Sequence, residues 1–245
     1  MGYAKTGLVE GYKATCASFL GIGQVDKDGN RGIMLSQLIP EGADTFTVAD
    51  DNYIDLQLLG PNGVGIANYT YHQGDTNRSY KKGDGWYVGS TLITAGDEND
   101  VFLPSGIGLW MSGKTNYKFT SSGEVAMDTQ QYELVDGYRL VANPYPTDIK
   151  LSQLVPAGAE TFTVADDNYI DLQVLGPSGV GIANYTYHKG DTNRSYKKGD
   201  GWYVGSTLIT PGDENDATIP AGSSLWMSGR NNYTISVVTP FEVAE

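Results

Sequence analysis

The side chains able to do chemistry in this 245-residue chain are few, and most of them occur twice. Its only histidines, His72 and His188, stand 116 positions apart in identical Tyr-Thr-Tyr-His stretches. Its single cysteine is Cys16. A histidine can act as general base and a cysteine as nucleophile, but each needs a positioned partner to do so. Neither H-E-x-x-H nor G-x-S-x-G occurs, so the signatures of a zinc hydrolase and a nucleophile elbow are both missing. Cys16 is matched by Ala142 in the second half, which suits a small buried hydrophobe better than a nucleophile. Paired carboxylates of a glycoside hydrolase leave no linear signature among 29 acids, so that route stays open. No catalytic residue is assigned, and the expectation is a protein that is not an enzyme.

Acidic clusters raise the question of calcium, which takes six to eight oxygen ligands. Asp26-Lys-Asp-Gly-Asn30 resembles the opening of an EF-hand loop, but its twelfth position is Gln37 and an Asp/Asn/Gly turn accounts for it. Gly96-Asp-Glu-Asn-Asp100 returns as Gly212-Asp-Glu-Asn-Asp216, and Asp50-Asp-Asn52 as Asp166-Asp-Asn168. Asp97, Glu98, Asp100, Asp213, Glu214 and Asp216 are the candidate cation ligands, with solvated loop acids as the competing reading. Aromatic residues supply a second candidate site. Trp86 and Tyr87, with Trp202 and Tyr203, could stack on sugar rings, as could Tyr69, Tyr71 and Trp110 and their counterparts Tyr185, Tyr187 and Trp226. Core packing competes for the same residues. Arg78, Lys81 and Lys82, repeated as Arg194, Lys197 and Lys198, form the main basic cluster. Glycosylation acceptor patterns at Asn68, Asn77, Asn184, Asn193 and Asn232 need no more than chance in a chain rich in Asn, Ser and Thr.

A duplication positions all of these groups. From Leu35 onward, adding 116 to a residue number finds its double until a small shift at the copy ends, Glu124-Val-Ala126 and Glu242-Val-Ala244, and between Thr45 and Asn99 only four of 55 positions differ. Upstream the offset is 126, because Leu20–Met34 in the first copy replaces Pro146–Lys150 in the second, a ten-residue insertion. The copies predict two tandem domains, 1–126 and 127–245, each about the commonest domain size.

Within a copy the period is two. Ile54, Leu56 and Leu58 alternate with Tyr53, Asp55 and Gln57, as in a strand with one buried face. Turn signals at Gly60-Pro-Asn-Gly63 and Lys82-Gly-Asp-Gly85 separate such runs, and helix is confined to one turn near Leu35–Leu38. With 32 glycines, 17 tyrosines and 18% charged residues, the composition predicts an all-β chain of two homologous sandwich- or barrel-like domains, seven to nine strands each. A formal charge of −13 argues against nucleic acid or an anionic membrane surface as partner, and no run of 18 apolar residues offers a membrane span.

The residues Gly137-Tyr138, Ala142-Asn-Pro144, Leu151-Ser-Gln-Leu154, Gly201-Trp202, Ile219-Pro-Ala-Gly222 and Gly123-Glu-Val125 resemble an uncharacterised group of exported β-rich proteins from verrucomicrobial and planctomycete-type bacteria. The first copy departs from the pattern with Cys16-Ala-Ser18. The resemblance implies export, hence a secreted, extracellular or cell-surface location, and implies no activity. The duplication adds the leading functional expectation, a non-catalytic structural protein whose domains polymerise with copies of themselves into a fibre or array. If domain two packs on domain one through surfaces both possess, its free face can receive the next chain without closing. Ile235–Val238 or Leu8–Thr15 could also complete a neighbour's sheet. The alternative is a carbohydrate-binding or adhesive module.

Overall fold

Alternation of apolar and polar residues is the dominant local pattern, and strands are its outcome. The structure, a computed structural model, describes residues 2–7, 12–16, 25–41, 53–59, 65–73, 83–113, 118–134, 137–157, 170–175, 181–189, 199–229 and 233–241. No α-helix occurs among them. The first half holds β1 (Gly2–Gly7), β2 (Tyr12–Cys16), β3 (Gly32–Met34), β4 (Ile39–Glu41), β5 (Ile54–Leu59), β6 (Gly65–His72), β7 (Gly85–Val88), β8 (Thr91–Leu92), β9 (Phe102–Pro104), β10 (Gly108–Ser112) and β11 (Lys118–Gly123). The second holds β12 (Gln130–Leu134), β13 (Tyr138–Ala142), β14 (Ile149–Lys150), β15 (Leu154–Ala157), β16 (Ile170–Leu175), β17 (Gly181–His188), β18 (Gly201–Val204), β19 (Thr207–Leu208), β20 (Thr218–Ile219), β21 (Ser224–Ser228) and β22 (Tyr233–Val237). Each half thus has more strands than the expected seven to nine. The excess comes from pieces of two or three residues, too short to show a period.

Each half repeats one topology. The first combines a six-stranded sheet, β2-β10-β5-β6-β7-β8, a three-stranded sheet, β1-β11-β4, and the pair β3-β9. The second combines β13-β21-β16-β17-β18-β19, β12-β22-β15 and β14-β20. All ladders are antiparallel, and none closes into a barrel. Ile54, Leu56 and Leu58 of β5 and Leu109 and Met111 of β10 point inward and are almost fully buried, joined by Phe119 from the three-stranded sheet and Leu103 from β9. Full burial of each such side chain is worth roughly 1.5–3 kcal/mol, so this layer between the sheets is the main source of stability.

The most obvious repeated motifs build a lock that ties the sheets together. Leu35–Gln37 and Leu151–Gln153 each form one 3-10 turn. Leu35 and Leu38 of the first motif are wholly buried. The Gln37 side chain accepts the Met34 amide at 2.7 Å, and the Leu38 carbonyl accepts the Trp86 indole N–H at 2.8 Å. In the second half the Gln153 side chain accepts the Lys150 amide at 2.8 Å, and the Trp202 indole donates to Leu154 at 2.7 Å. The Leu-Ser-Gln-Leu motif and the Gly-Trp-Tyr motif therefore recur together because they bond to each other.

Candidate functional site

Burial decides the fate of the aromatic candidates. Trp86 and Trp202 are 2% and 3% exposed, and Tyr87 and Tyr203 are both 5% exposed. With its indole N–H spent on a backbone carbonyl and Tyr71 edge-on at 5.3 Å, Trp86 belongs to the core. The phenols of Tyr87 and Tyr203 donate to Gly83 and Gly199, each at 3.0 Å. The expectation that these four residues offer an exposed stacking face is corrected: Gly-Trp-Tyr-Val has too few residues to show which face is buried. His72 and His188 are equally internal, each with Nε2 at 3.1 Å from a threonine hydroxyl and its ring edge-on to a tyrosine. Cys16 is fully buried, as a small hydrophobe should be.

The acids of the two Gly-Asp-Glu-Asn-Asp loops divide their work. Asp97 accepts the Thr94 amide at 2.6 Å, the Thr94 hydroxyl at 3.0 Å and the Asn99 amide at 2.7 Å. These bonds, first that of the Thr94 amide, hold its carboxyl below the usual range, and Thr210 does the same for Asp213. Asp100 lies beneath the loop, where it accepts the amide and hydroxyl of Ser36 and the amide of Gly96. Asp216 repeats this with Ser152 and Gly212. Glu98 and Glu214 are exposed. Of the six proposed calcium ligands, Asp97 and Asp213 thus brace their own loops, and Asp100 and Asp216 fasten those loops to the 3-10 turns. Asp26 behaves alike, accepting the amides of Asp28 and Asn30 at 2.9 and 2.8 Å as a turn residue does. Among the described residues, no group of three or more His, Cys, Asp or Glu side chains is placed to hold a metal ion. The Asp50 and Asp166 clusters and the basic clusters of Arg78 and Arg194 lie outside the described residues.

One aromatic pair per half does reach the surface. Tyr12 and Trp110 stack across β2 and β10, with centroids 5.8 Å apart and planes within 8°, on the outward face of the six-stranded sheet. The Tyr12 phenol donates to Asp55 at 3.0 Å and accepts from Gln57 at 3.3 Å. Burial, then the Asp55 charge, pushes the Tyr12 pKa far upward. Tyr138 and Trp226 repeat the stack at 5.7 Å, and Tyr138 donates to Asp171. Residue type groups Trp110 with Trp86; the structure separates them, because strand alternation turns Trp110 away from Leu109 and Met111.

The halves meet beside these platforms through equivalent surfaces. The Cys16 amide donates to Gly222 at 3.0 Å and the Ala142 amide to Gly106 at 3.1 Å. The isolated bridges Thr15↔Ser223 and Ile107↔Val141 flank them. Each pair is the other with the copies exchanged, since Thr15, Cys16, Gly106 and Ile107 correspond to Val141, Ala142, Gly222 and Ser223. The contact is therefore a pseudo-two-fold one in which each copy uses the same patch. Such a contact closes on itself. The expected head-to-tail reuse of this junction by a further chain is corrected, because neither copy keeps a free example of the patch. Strand donation by Ile235–Val238 is corrected as well, since β22 is the central strand of its sheet. Of the other proposed donor, Leu8–Thr15, the residues Leu8–Gly11 lie outside the described residues, and Thr15 is engaged at the junction.

No family model, no curated protein and no solved structure matches this chain. Among the described residues no helix is long and apolar enough to cross a membrane.

Proposed function

We propose that this chain is a non-catalytic, exported structural protein that assembles with further copies of itself through sheet edges displayed once on each half. The observation that carries this reading is the pairing of exposed apolar residues. Leu92 and Leu208, equivalent across the repeat, are each 39% exposed on β8 and β19, the outermost strands of the six-stranded sheets. Ile39 and Val155, also equivalent, are 60% and 44% exposed on β4 and β15, edges of the three-stranded sheets. An open edge carrying an apolar side chain is a template for pairing with another chain. Two such edges related by a pseudo-two-fold make the monomer bivalent, and bivalent units with self-complementary edges extend in a line while the internal junction stays closed. The burial of both histidines and the structural employment of the loop acids support a role without catalysis. Sedimentation velocity over a wide concentration range, followed by negative-stain microscopy of the heaviest species, tests it. Concentration-dependent growth into elongated particles is the expected result, and a monomer at every concentration would sink it.

A second reading, carbohydrate binding, is favoured by the Tyr12–Trp110 and Tyr138–Trp226 stacks. A flat aromatic surface bordered by a carboxylate and an amide suits a sugar ring, which presents an apolar face and hydroxyls at its edge. Its test is a glycan array on the unaltered chain beside a Trp110→Ala/Trp226→Ala variant.

A further inference from the structure

A cavity of about 800 Å³ opens where the halves meet on one side of the junction. Asn30, Arg31 and Ser105 of the first half face Gln130, Tyr132 and Arg139 of the second across it. The pseudo-two-fold does not reproduce this lining. Ser105 corresponds to Ala221, Gln130 to Ala4, Tyr132 to Thr6 and Arg139 to Lys13, while Asn30 and Arg31 belong to the stretch lengthened by the insertion. The outer sheets are near-copies, and this cleft is where the copies diverge.

Its lining holds two cations, Arg31 and Arg139. Arg31 is ion-paired with Glu124. Arg139 instead donates to the backbone carbonyl of Glu133, and among the described residues no carboxylate stands within ion-pair distance of it. Burial lowers its pKa, the mark of a guanidinium partly stripped of water, and the nearby Glu133 charge offsets this only in part. Glu133 and Asp128 are exposed at the rim. Deeper in the cleft the hydroxyls of Tyr132 and Ser105 are shielded from solvent and lie beside each other. A cation half removed from water gains most from a charged acceptor, and the planar guanidinium fork matches a carboxylate bidentately.

We propose that this cleft binds a small organic carboxylate whose anionic head takes the Arg139 guanidinium and whose neighbouring hydroxyl or amide groups meet Asn30, Gln130 and Thr234. The chemistry is shared by sugar acids and by the carboxyl end of a peptide. This site is separate from the sheet edges and stands whether or not the chain assembles.

Heteronuclear NMR on the full chain at fixed ionic strength tests it, with D-glucuronate and N-acetylalanine as probes and D-glucose and N-acetylalaninamide as their uncharged counterparts. Saturable shifts confined to the amides of Ser105–Ile107 and Gln130–Tyr132 are expected for at least one acid and for neither neutral partner, and the acid that binds identifies the source. Arg139→Lys, which installs the residue type found at the equivalent Lys13, should weaken that binding about tenfold by losing the bidentate fork. No saturable shift with either acid, equal shifts with the neutral probes, or undiminished binding in a folded Arg139→Lys protein would each overturn the assignment. Should the variant not fold, the shift map on the unaltered chain still decides.

Discussion

The amide of Cys16 donates to the carbonyl of Gly222 at 3.0 Å, and the same bond with the copies exchanged runs from Ala142 to Gly106 at 3.1 Å. Two halves that touch through one patch used twice behave as a dimer tied by a linker. The consequence for function is exclusion: a contact that satisfies both copies leaves nothing to propagate, so assembly must use a different surface. The junction also contains the sites where the copies have been forced apart, because a chain that folds onto itself meets its own duplicate in one fixed orientation.

Gly108 is the clearest such site. A Cβ placed there would lie 2.2 Å from the Cβ of Leu140, whereas the equivalent Ser224 carries a side chain whose hydroxyl donates to Thr15 at 3.1 Å. Gly108→Val should therefore destabilise the protein by roughly 1–3 kcal/mol, the usual cost of overpacking a fitted interface. Adding Leu140→Gly removes the opposing Cβ and should restore part of the loss. Urea unfolding of the single and double variants measures both, and additive losses would show that the two residues do not oppose each other.

Trp86 is held by a bond as well as by packing. Trp86→Phe keeps most of the apolar area but leaves the Leu38 carbonyl buried without the indole N–H that reaches it at 2.8 Å. The expected loss is about 1–3 kcal/mol, and Trp202→Phe should lose a similar amount because Leu154 stands in the same relation. Neither change should alter any glycan binding, since both indoles are inside. Thermal melts paired with a glycan array separate the two effects.

How far these features could be read without coordinates depends on their range. β5 was legible because Ile54, Leu56 and Leu58 alternate for six residues, and the 3-10 turn because Leu-Ser-Gln-Leu is too short and polar for a longer helix. The duplication likewise announced two equivalent halves. What remained hidden were the relationships between distant segments: that Asp100 reaches Ser36, that Trp86 reaches Leu38, and that Cys16 meets Gly222 across 206 positions. Residue type alone placed Trp86 and Trp110 together, although strand parity sends one inward and the other out. Arg139 gave no local signal at all, because its setting depends on an insertion that folds against a strand of the other half.

Stability should fall at both ends of the pH scale, for opposite reasons. Asp97 and Asp213 have carboxyls held low by the amides of Thr94 and Thr210, so they ionise more readily in the folded chain. Their contribution is present above the unfolded Asp value of about 3.9 and is lost as pH falls through the lower folded value. Burial raises the phenols of Tyr12 and Tyr132, so these favour the folded state while neutral. That contribution is present below the unfolded tyrosine value of about 10 and is lost as pH rises beyond it. Denaturation midpoints should be level from about pH 5 to 9 and decline on either side. Asp97→Asn/Asp213→Asn should flatten the acid limb and leave the alkaline limb unchanged; an unaltered acid limb would move the effect to other carboxyls.

Leu92 and Leu208 test assembly without disturbing the fold. Each is 39% exposed on a two-residue edge strand, and a lysine keeps an aliphatic stem over the covered part, so Leu92→Lys/Leu208→Lys should cost about 1 kcal/mol or less. A lysine on an open edge blocks pairing with another chain by charge and by hydration. The double variant should sediment as a monomer where the unaltered chain forms larger species, and each single variant, with one edge left open, should stop at a dimer. If the double variant assembles as the parent does, the six-stranded sheet edges are not the contact. Ile39→Lys/Val155→Lys on the three-stranded sheets is then the variant that would abolish it.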